Sequence, residues 1–537
     1  MELDHRVGAR AENSRGESLV SHFEEACARY GDAPAFHCFG RELSFKVLEE
    51  QSRYFAAYLR QHLGMQEGER LAIQLPNISQ YPIAAWGAVR AGLIIVNTNP
   101  LYTERELVHQ LQDSGAKVLV SLVQNGELLA KVLPQTDVEH VVLVALSGSD
   151  NLPASDWFAD AVETFDEALV LGREADFERL DLSMNAVLAL QYTGGTTGLS
   201  KGAILTHGNM HSAVRQVDDT LGILEPGAEV FLAPLPLYHV YGFNSHVIGN
   251  VLRGGLSVLI PDPRNVDSLI SALLGFQVTV IPAINTLFAA LLNHPRFTDI
   301  DFASLKICTA GGAALITDVA KRWEQVTGCC ITEGYGMSET AGVATFNRPG
   351  SQQLGTIGLP PTQTELRVVC EKGVQVANGS EGELLIRGPQ VMQGYWNQLQ
   401  ATKEAFDAEG WLRTGDIAVM QDDGHVRLVD RKKDMILVSG FNVYPNEVEE
   451  VASGHAGVLE CAAIGISDDK SGEAVMLFVV KASPELVEGE LRGYCRQHLA
   501  AYKVPKYIHF ITALPKSNVG KILRRELREQ ISSGVFA

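Results

Sequence analysis

Short apolar runs alternate with longer amphipathic stretches along most of the first three hundred residues. Leu71–Leu75, Val118–Val120 and Ala186–Gln191 are apolar runs of strand length, and the segments between them read as helical. Similar runs recur at 230–239, 256–261 and 278–283 (VFLAPLPLYH, LSVLIP, VTVIPA). Strands alternating with helices predict a layered α/β architecture. Ser44, three residues before Val47 and followed by Leu48-Glu49-Glu50, predicts a capped amphipathic helix. The acid that would complete a capping box is missing there.

The pattern changes over residues 355–430. Thr364–Val369, Glu383–Ile386 and His425–Val429 are short alternating strands with glycine-rich punctuation, which predicts a small β-rich subdomain. From about Asp434 the chain predicts an α+β lobe. It holds an acid-rich helix over Asn446–Ala452, strands at Ala462–Ile466 and Val475–Val480, and a helix over Glu488–Leu499. The expected fold is therefore α/β, with a large multi-subdomain N-terminal lobe and a small α+β C-terminal lobe. Neither an internal repeat nor a low-complexity segment is evident.

Length supports this division, because 537 residues correspond to roughly three or four units at about 150 residues each. An apolar fraction of 46% and a charged fraction of 20% are ordinary for a chain with a large core. Met1 to Gly16 is polar, and no run reaches the ~18 apolar residues of a spanning helix. Arg90 interrupts one candidate, and Pro282 with Asn285 another, so a soluble protein is expected. Eight cysteines at 27, 38, 308, 329, 330, 370, 461 and 495 contain no Cys-x-x-Cys. In a chain this long they read as reduced, mostly buried thiols of a cytoplasmic protein.

A net charge of −20 disfavours a nucleic-acid partner. Lys503 to Arg528 is the exception, with seven basic residues against one acid, Glu526. Such a run is either a solvated helix face or a surface turned toward a polyanion.

Tyr192-Thr193-Gly194-Gly195-Thr196-Thr197-Gly198-Leu199-Ser200-Lys201-Gly202 is the richest stretch chemically. Glycines let successive N–H groups converge into an anion-binding nest, threonines add hydroxyl donors, and Lys201 adds a charge. No Gly-x-x-x-x-Gly-Lys-[Ser/Thr] register fits, so it is not a Walker A loop. A solvent-exposed turn is the alternative reading. Gly336-x-Ser338-x-Thr340 lacks the last glycine of a nucleophile elbow. Gly334-x-Gly336-x-x-Glu339 lacks the last glycine of a dinucleotide fingerprint.

The 192–202 loop resembles the phosphate-binding signature of the adenylate-forming superfamily, which includes acyl-CoA synthetases, luciferases and peptide-synthetase adenylation domains. Four more stretches resemble that family's signatures in order: EGYGMSET at 333–340, WLRTGD at 411–416, DRKKD at 430–434 and PKSNVGKI at 515–522. DRKKDMILVSGFNVYPN from Asp430 and LPKSNVGKILRREL near the end most resemble bacterial long-chain fatty acyl-CoA synthetases. The resemblance implies an adenylation domain over 18–430, a hinge at 431–434 and a mobile C-terminal lobe over 435–537.

It also implies roles. Thr193, Gly194, Gly195, Thr196, Thr197, Gly198 and Lys201 would hold the ATP phosphates. Glu339 would bind Mg²⁺, a hard carboxylate for a hard cation, and Thr340 the α-phosphate. Gly334 and Tyr335 would frame the adenine, while Asp416 would accept from the ribose hydroxyls beside Arg431. Taken alone, Tyr335 reads as a core tyrosine and Asp416 as a turn residue. Lys521 would bridge carboxylate and α-phosphate during adenylation, and Lys433 matches the hinge position. Gly440 would border the pantetheine arm of CoA. His239 would stand at an aromatic gate beside the acyl carboxylate, although a core histidine is its rival. Tyr241, Phe243, Ala310, Gly311 and Gly312 would shape the acyl tunnel.

Joining a carboxylate to a phosphate brings two anions together. At 4 Å and an effective dielectric near 20, they repel by roughly 4 kcal/mol. Cations and fixed dipoles must therefore dominate such a site. The implied activity is a fatty acid–CoA ligase using ATP, Mg²⁺ and CoA. The alternatives are an acyl-AMP ligase loading a carrier protein, a CoA ligase for medium-chain, branched or terpenoid acids, or a non-catalytic nucleotide-binding regulator. The regulator reading would expect Lys521 or Glu339 to be lost, and both are present. Acyl chain length stays open, as do a homodimer and peripheral contact with the inner face of the cell membrane.

Overall fold

The structure, a computed structural model, describes residues 18–146, 162–193, 200–313, 315–439, 441–468, 471–517 and 522–533. Within these residues the chain forms two compact units. The first holds residues up to Glu365 together with Arg387–Gly410, and the second holds Leu366–Ile386 and the chain from Trp411 onward.

Two sheets build the first unit. One has seven strands, in spatial order Val162–Thr164, His140–Val144, Val118–Leu122, Arg70–Gln74, Ile94–Asn97, Val187–Tyr192 and Gly202–Thr206. All neighbours pair in parallel except the last two strands, which form an antiparallel edge. The other sheet has eight strands, with a parallel centre from Ile331–Tyr335 to Pro34–Cys38 and an antiparallel strand at each edge. Helices complete the layers, as the alternation of elements predicts. Ser44 caps the helix Phe45–Ala57 by accepting from Val47 N–H at 3.3 Å.

The apolar run at 230–239 is strand only over Val230–Ala233. Pro234 and Pro236 lack the N–H a ladder needs, so the remainder leaves the sheet. The core of this sheet packs Phe288, Phe297 and Trp323 together, with Trp323 edge-on to Phe288 at 4.7 Å between centroids.

The second unit contains a four-stranded sheet (Glu365–Val369, Glu381–Arg387, Leu412–Met420, Val426–Arg431) and a five-stranded one. In the latter, the long strands Val458–Asp468 and Gly472–Lys481 form an antiparallel pair, and Tyr507–Ile511 adds in parallel. Helices Pro445–Ser453 and Glu488–His498 cover one face. Six cysteines are buried and two partly so, all as free thiols. Among the described residues no helix is long and apolar enough to cross a membrane.

Candidate active site

The phosphate-loop candidate joins two antiparallel strands, so its ends are held as a hairpin. Tyr192 stands opposite Gly202, and Thr193 N–H donates to the Lys201 carbonyl at 3.0 Å. The helix Glu104–Ser114 braces both arms. His109 Nε2 lies 3.0 Å from the Ser200 carbonyl, and Tyr192 donates its hydroxyl to Asp113 at 2.6 Å. Gly194, Gly195, Thr196, Thr197 and Gly198 lie outside the described residues. Lys201 is half-buried, its ammonium 5.2 Å from the centroid of the Tyr395 ring.

The second signature begins on the strand Ile331–Tyr335 and ends in a tight turn. Gly334 and Gly336 are required by close approach. A Cβ at Gly334 would meet the Phe346 ring at 2.5 Å, and one at Gly336 would meet the Gly342 carbonyl oxygen at 2.1 Å. Tyr335 is half-buried, with its hydroxyl 3.8 Å from Met337 Sδ. Thr340 is fully buried, and its hydroxyl accepts from Met337 N–H at 3.0 Å. In this conformation that hydroxyl closes the turn. Ala341 follows at φ 50, a left-handed conformation costing an ordinary residue about 1–2 kcal/mol. Buried Asn244 offsets this by donating to the Ala341 carbonyl at 2.7 Å.

Glu339 is 6% exposed, and its Oε1 accepts from the Tyr395 hydroxyl at 2.6 Å. Tyr395 belongs to a rib that sequence reasoning missed. Met392 N–H donates to the Glu339 carbonyl at 2.8 Å, Ile204 N–H to Gly394 at 2.9 Å, and Trp396 N–H to Gly202 at 2.8 Å. The rib thus stitches the strand leaving the phosphate loop to the Glu339 turn. Tyr395 lies 56 residues from Glu339 in sequence, and only the local Gly394-Tyr395-Trp396 string marks it. Glu333, at the head of the same signature, is a second residue that the sequence alone does not mark. It is buried, its Oε1 accepts from Leu315 N–H at 3.3 Å, and burial pushes its carboxyl up to about 7.

An apolar cavity opens in the same unit. Val217, Leu221, Phe231, Val280, Val343 and Phe346 line it, and Tyr241, Thr309 and Gly342 give it a polar corner. Tyr241 bonds the Thr309 hydroxyl at 2.7 Å, and burial raises its phenol well above the usual value. Of the residues expected to shape an acyl tunnel, Tyr241 lines this cavity. Phe243 and Ala310 are buried, and a Cβ at Gly311 would touch the Tyr241 ring at 3.3 Å. His239 is half-buried and caps the turn Val240–Gly242, its Nδ1 accepting from Tyr241 N–H at 3.3 Å.

The second unit supplies a different pair. Asp416 and Arg431 stand opposite each other on antiparallel strands, and Arg431 Nε lies 2.9 Å from Asp416 Oδ1. Asp416 is 4% exposed, and its N–H donates to the Thr414 hydroxyl at 3.0 Å. Burial and the Arg431 charge lower the Lys433 ammonium below the usual lysine range. Gly440 and Lys521 lie outside the described residues. An isolated bridge between Lys516 and Ile522 brackets the Lys521 segment.

The basic run from Lys503 to Arg528 is neither bare nor simply solvated. Lys503 pairs with Glu447, Lys506 with Asp468, Lys516 with Glu460, Arg524 with Glu449, Arg525 with Glu529, and Arg528 with Asp434. The local positive charge is thus largely neutralised by acids from elsewhere in the same unit.

Comparison with known proteins agrees with this geometry. The family model described as AMP-binding enzyme matches residues 23–396, and that for the AMP-binding enzyme C-terminal domain matches 447–521. The chain is 46% identical to a long-chain-fatty-acid–CoA ligase of Salmonella typhimurium, covering 98% of this chain and 96% of the relative. It is 42% identical to a protein of that same name from Haemophilus influenzae, covering 97% and 96%. Among solved structures it resembles the anthranilate CoA ligase AuaEII in complex with anthranoyl-AMP. There the TM-score is 0.89 and the identity 26%, with 98% of this chain and 99% of that one covered. The chain belongs to the family of AMP-binding enzymes.

Proposed function

We propose that this protein is a fatty acid–CoA ligase that activates its acid with ATP through an acyl-adenylate. The observation that carries this reading is the apolar cavity whose polar corner, at Gly342 and Tyr241, adjoins the turn bearing Glu339. Burying an acyl chain contributes about 0.8 kcal/mol per methylene, so an apolar slot beside an anion-handling turn suits a fatty acid. The ligases of Salmonella typhimurium and Haemophilus influenzae support the long-chain assignment.

In the first step a carboxylate oxygen of the fatty acid attacks the α-phosphorus of ATP. The α–β anhydride bond breaks and pyrophosphate leaves. The loop from Thr193 to Lys201 holds the departing phosphates, and Lys521 offsets the charge between carboxylate and α-phosphate. Tyr335 and Gly334 flank the adenine, Thr340 serves the α-phosphate, and Asp416 with Arg431 takes the ribose. Glu339 fits Mg²⁺, because that ion commonly takes one or two carboxylates with substrate phosphates and water. Its buried carboxylate is already oriented by Tyr395. The bound ion would neutralise phosphate charge during the transfer.

In the second step the CoA thiol, losing its proton, attacks the acyl carbonyl carbon. The bond to AMP breaks and the thioester forms. A hinge at 431–434 between residues 18–430 and 435–537 would withdraw Lys521 and bring Gly440 toward the thiol arm. His239 would guard the entrance to the acyl slot. The reading carries with it a cytoplasmic enzyme in peripheral contact with the inner face of the cell membrane.

The test is Lys521→Ala in two separate half-reactions. Fatty-acid-dependent pyrophosphate–ATP exchange should fall at least ~100-fold (~2.7 kcal/mol), and CoA transfer from supplied acyl-AMP far less. Equal loss in both would contradict the hinge assignment.

A further inference from the structure

We infer that Tyr395 is a positioning residue that sets the Mg²⁺ response of the adenylation step by fixing Glu339 and Lys201 together. This rests on the proposed ligase reading, and specifically on Glu339 as the carboxylate that meets the ion. The hydroxyl of Tyr395 donates to Glu339 Oε1 at 2.6 Å, and the ring carries the Lys201 ammonium 5.2 Å from its centroid. One rigid side chain therefore touches an anion at its tip and a cation along its ring. Two flexible chains of opposite charge are each given a fixed neighbour.

The backbone makes this arrangement stiff. Tyr395 pairs with Ala203 in an isolated antiparallel bridge, and its N–H donates to the Thr402 hydroxyl at 2.8 Å. Bonds from Ile204, Trp396 and Met392 hold the residues on either side. The same rib thus grips the strand that leaves the phosphate loop and the turn that presents Glu339. A carboxylate oxygen that accepts a short phenol hydrogen bond keeps one orientation, since charge-assisted bonds are the stronger class. Glu339 then meets a cation without first losing rotamer freedom.

The experiment uses the full-length protein with Tyr395→Phe, which keeps the ring and removes only the hydroxyl. Calorimetric ATP binding is measured with Mg²⁺ and with EDTA, alongside the Mg²⁺ dependence of pyrophosphate–ATP exchange. Melting curves verify the fold. The variant should need about tenfold more Mg²⁺ for half-maximal exchange, and Mg²⁺ should tighten its ATP binding about tenfold less than in the wild type. Tyr395→Leu, which removes the ring as well, should also weaken ATP binding in EDTA through Lys201. An unchanged Mg²⁺ response in Tyr395→Phe overturns the inference and leaves the ligase reading standing. Equal losses with and without Mg²⁺ overturn it too, since a merely structural tyrosine would produce them. A wild type whose ATP binding ignores Mg²⁺ removes the inference together with Glu339 as the carboxylate that meets the ion, and leaves the ligase reading to the AMP-release assay.

Discussion

Arg431 reaches Asp416 directly across an antiparallel strand pair, with Nε and Oδ1 2.9 Å apart. The carboxylate is nearly buried while its partner is about one-third exposed. Desolvation therefore falls on the acid, and the guanidinium compensates it. A buried, oriented carboxylate is the group needed to accept from paired hydroxyls.

Replacing that acid tests its use. Asp416→Asn keeps the shape and loses the charge, and hydrogen bonds to a charged group contribute about 1.5–3 kcal/mol. The KM for ATP should rise at least ~10-fold, with the KM for fatty acid changed much less. Steady-state kinetics with each substrate varied checks this, and an unchanged ATP response would remove Asp416 from the nucleotide site.

The cavity makes a prediction about chain length. Leu221 ends the helix His207–Leu221 and lines the apolar slot. Leu221→Trp should displace at least two methylenes of a long acyl chain. At about 0.8 kcal/mol each, this lowers kcat/KM for long relative to medium chains about tenfold. A uniform fall across chain lengths would indicate general disruption and place the acyl chain elsewhere.

Glu333 gives a pH dependence whose sign follows from burial. Its carboxyl is raised from about 4.5 to about 7 in the folded protein, chiefly by desolvation. The native state therefore binds more protons than the unfolded chain between those values. The contribution of Glu333 to stability is greatest below pH 4.5 and falls as pH rises through 7. At 1.36 kcal/mol per pH unit the loss is about 3 kcal/mol. Glu333→Gln should melt above the wild type at pH 8 and close to it at pH 5. The same offset at both pH values would mean that Glu333 is ionised throughout.

The elements most legible in sequence are those whose signal is local. The apolar run Val118–Val120 and the acid-rich stretch Asn446–Ala452 fall within the strand Val118–Leu122 and the helix Pro445–Ser453, and Asp416 with Arg431 follows from motif order. The pairing of Pro34–Cys38 with Leu256–Leu259 is not legible, because some two hundred residues separate the strands and nothing local selects the partner. Tyr395 escaped for the same reason, its meaning lying in Glu339 and Lys201, far off in the chain. The basic run at 503–528 suggested a polyanion surface. Five of its six neutralising acids lie on distant segments, so only the folded chain shows those pairings.

The most direct measurement is AMP release by the purified protein with ATP, Mg²⁺ and CoA, across acids from acetate to oleate. The account predicts AMP and acyl-CoA in equal amounts, both dependent on CoA, with the highest kcat/KM at long chains. An optimum at short or aromatic acids would contradict the substrate assignment. No AMP with any acid would contradict the ligase itself.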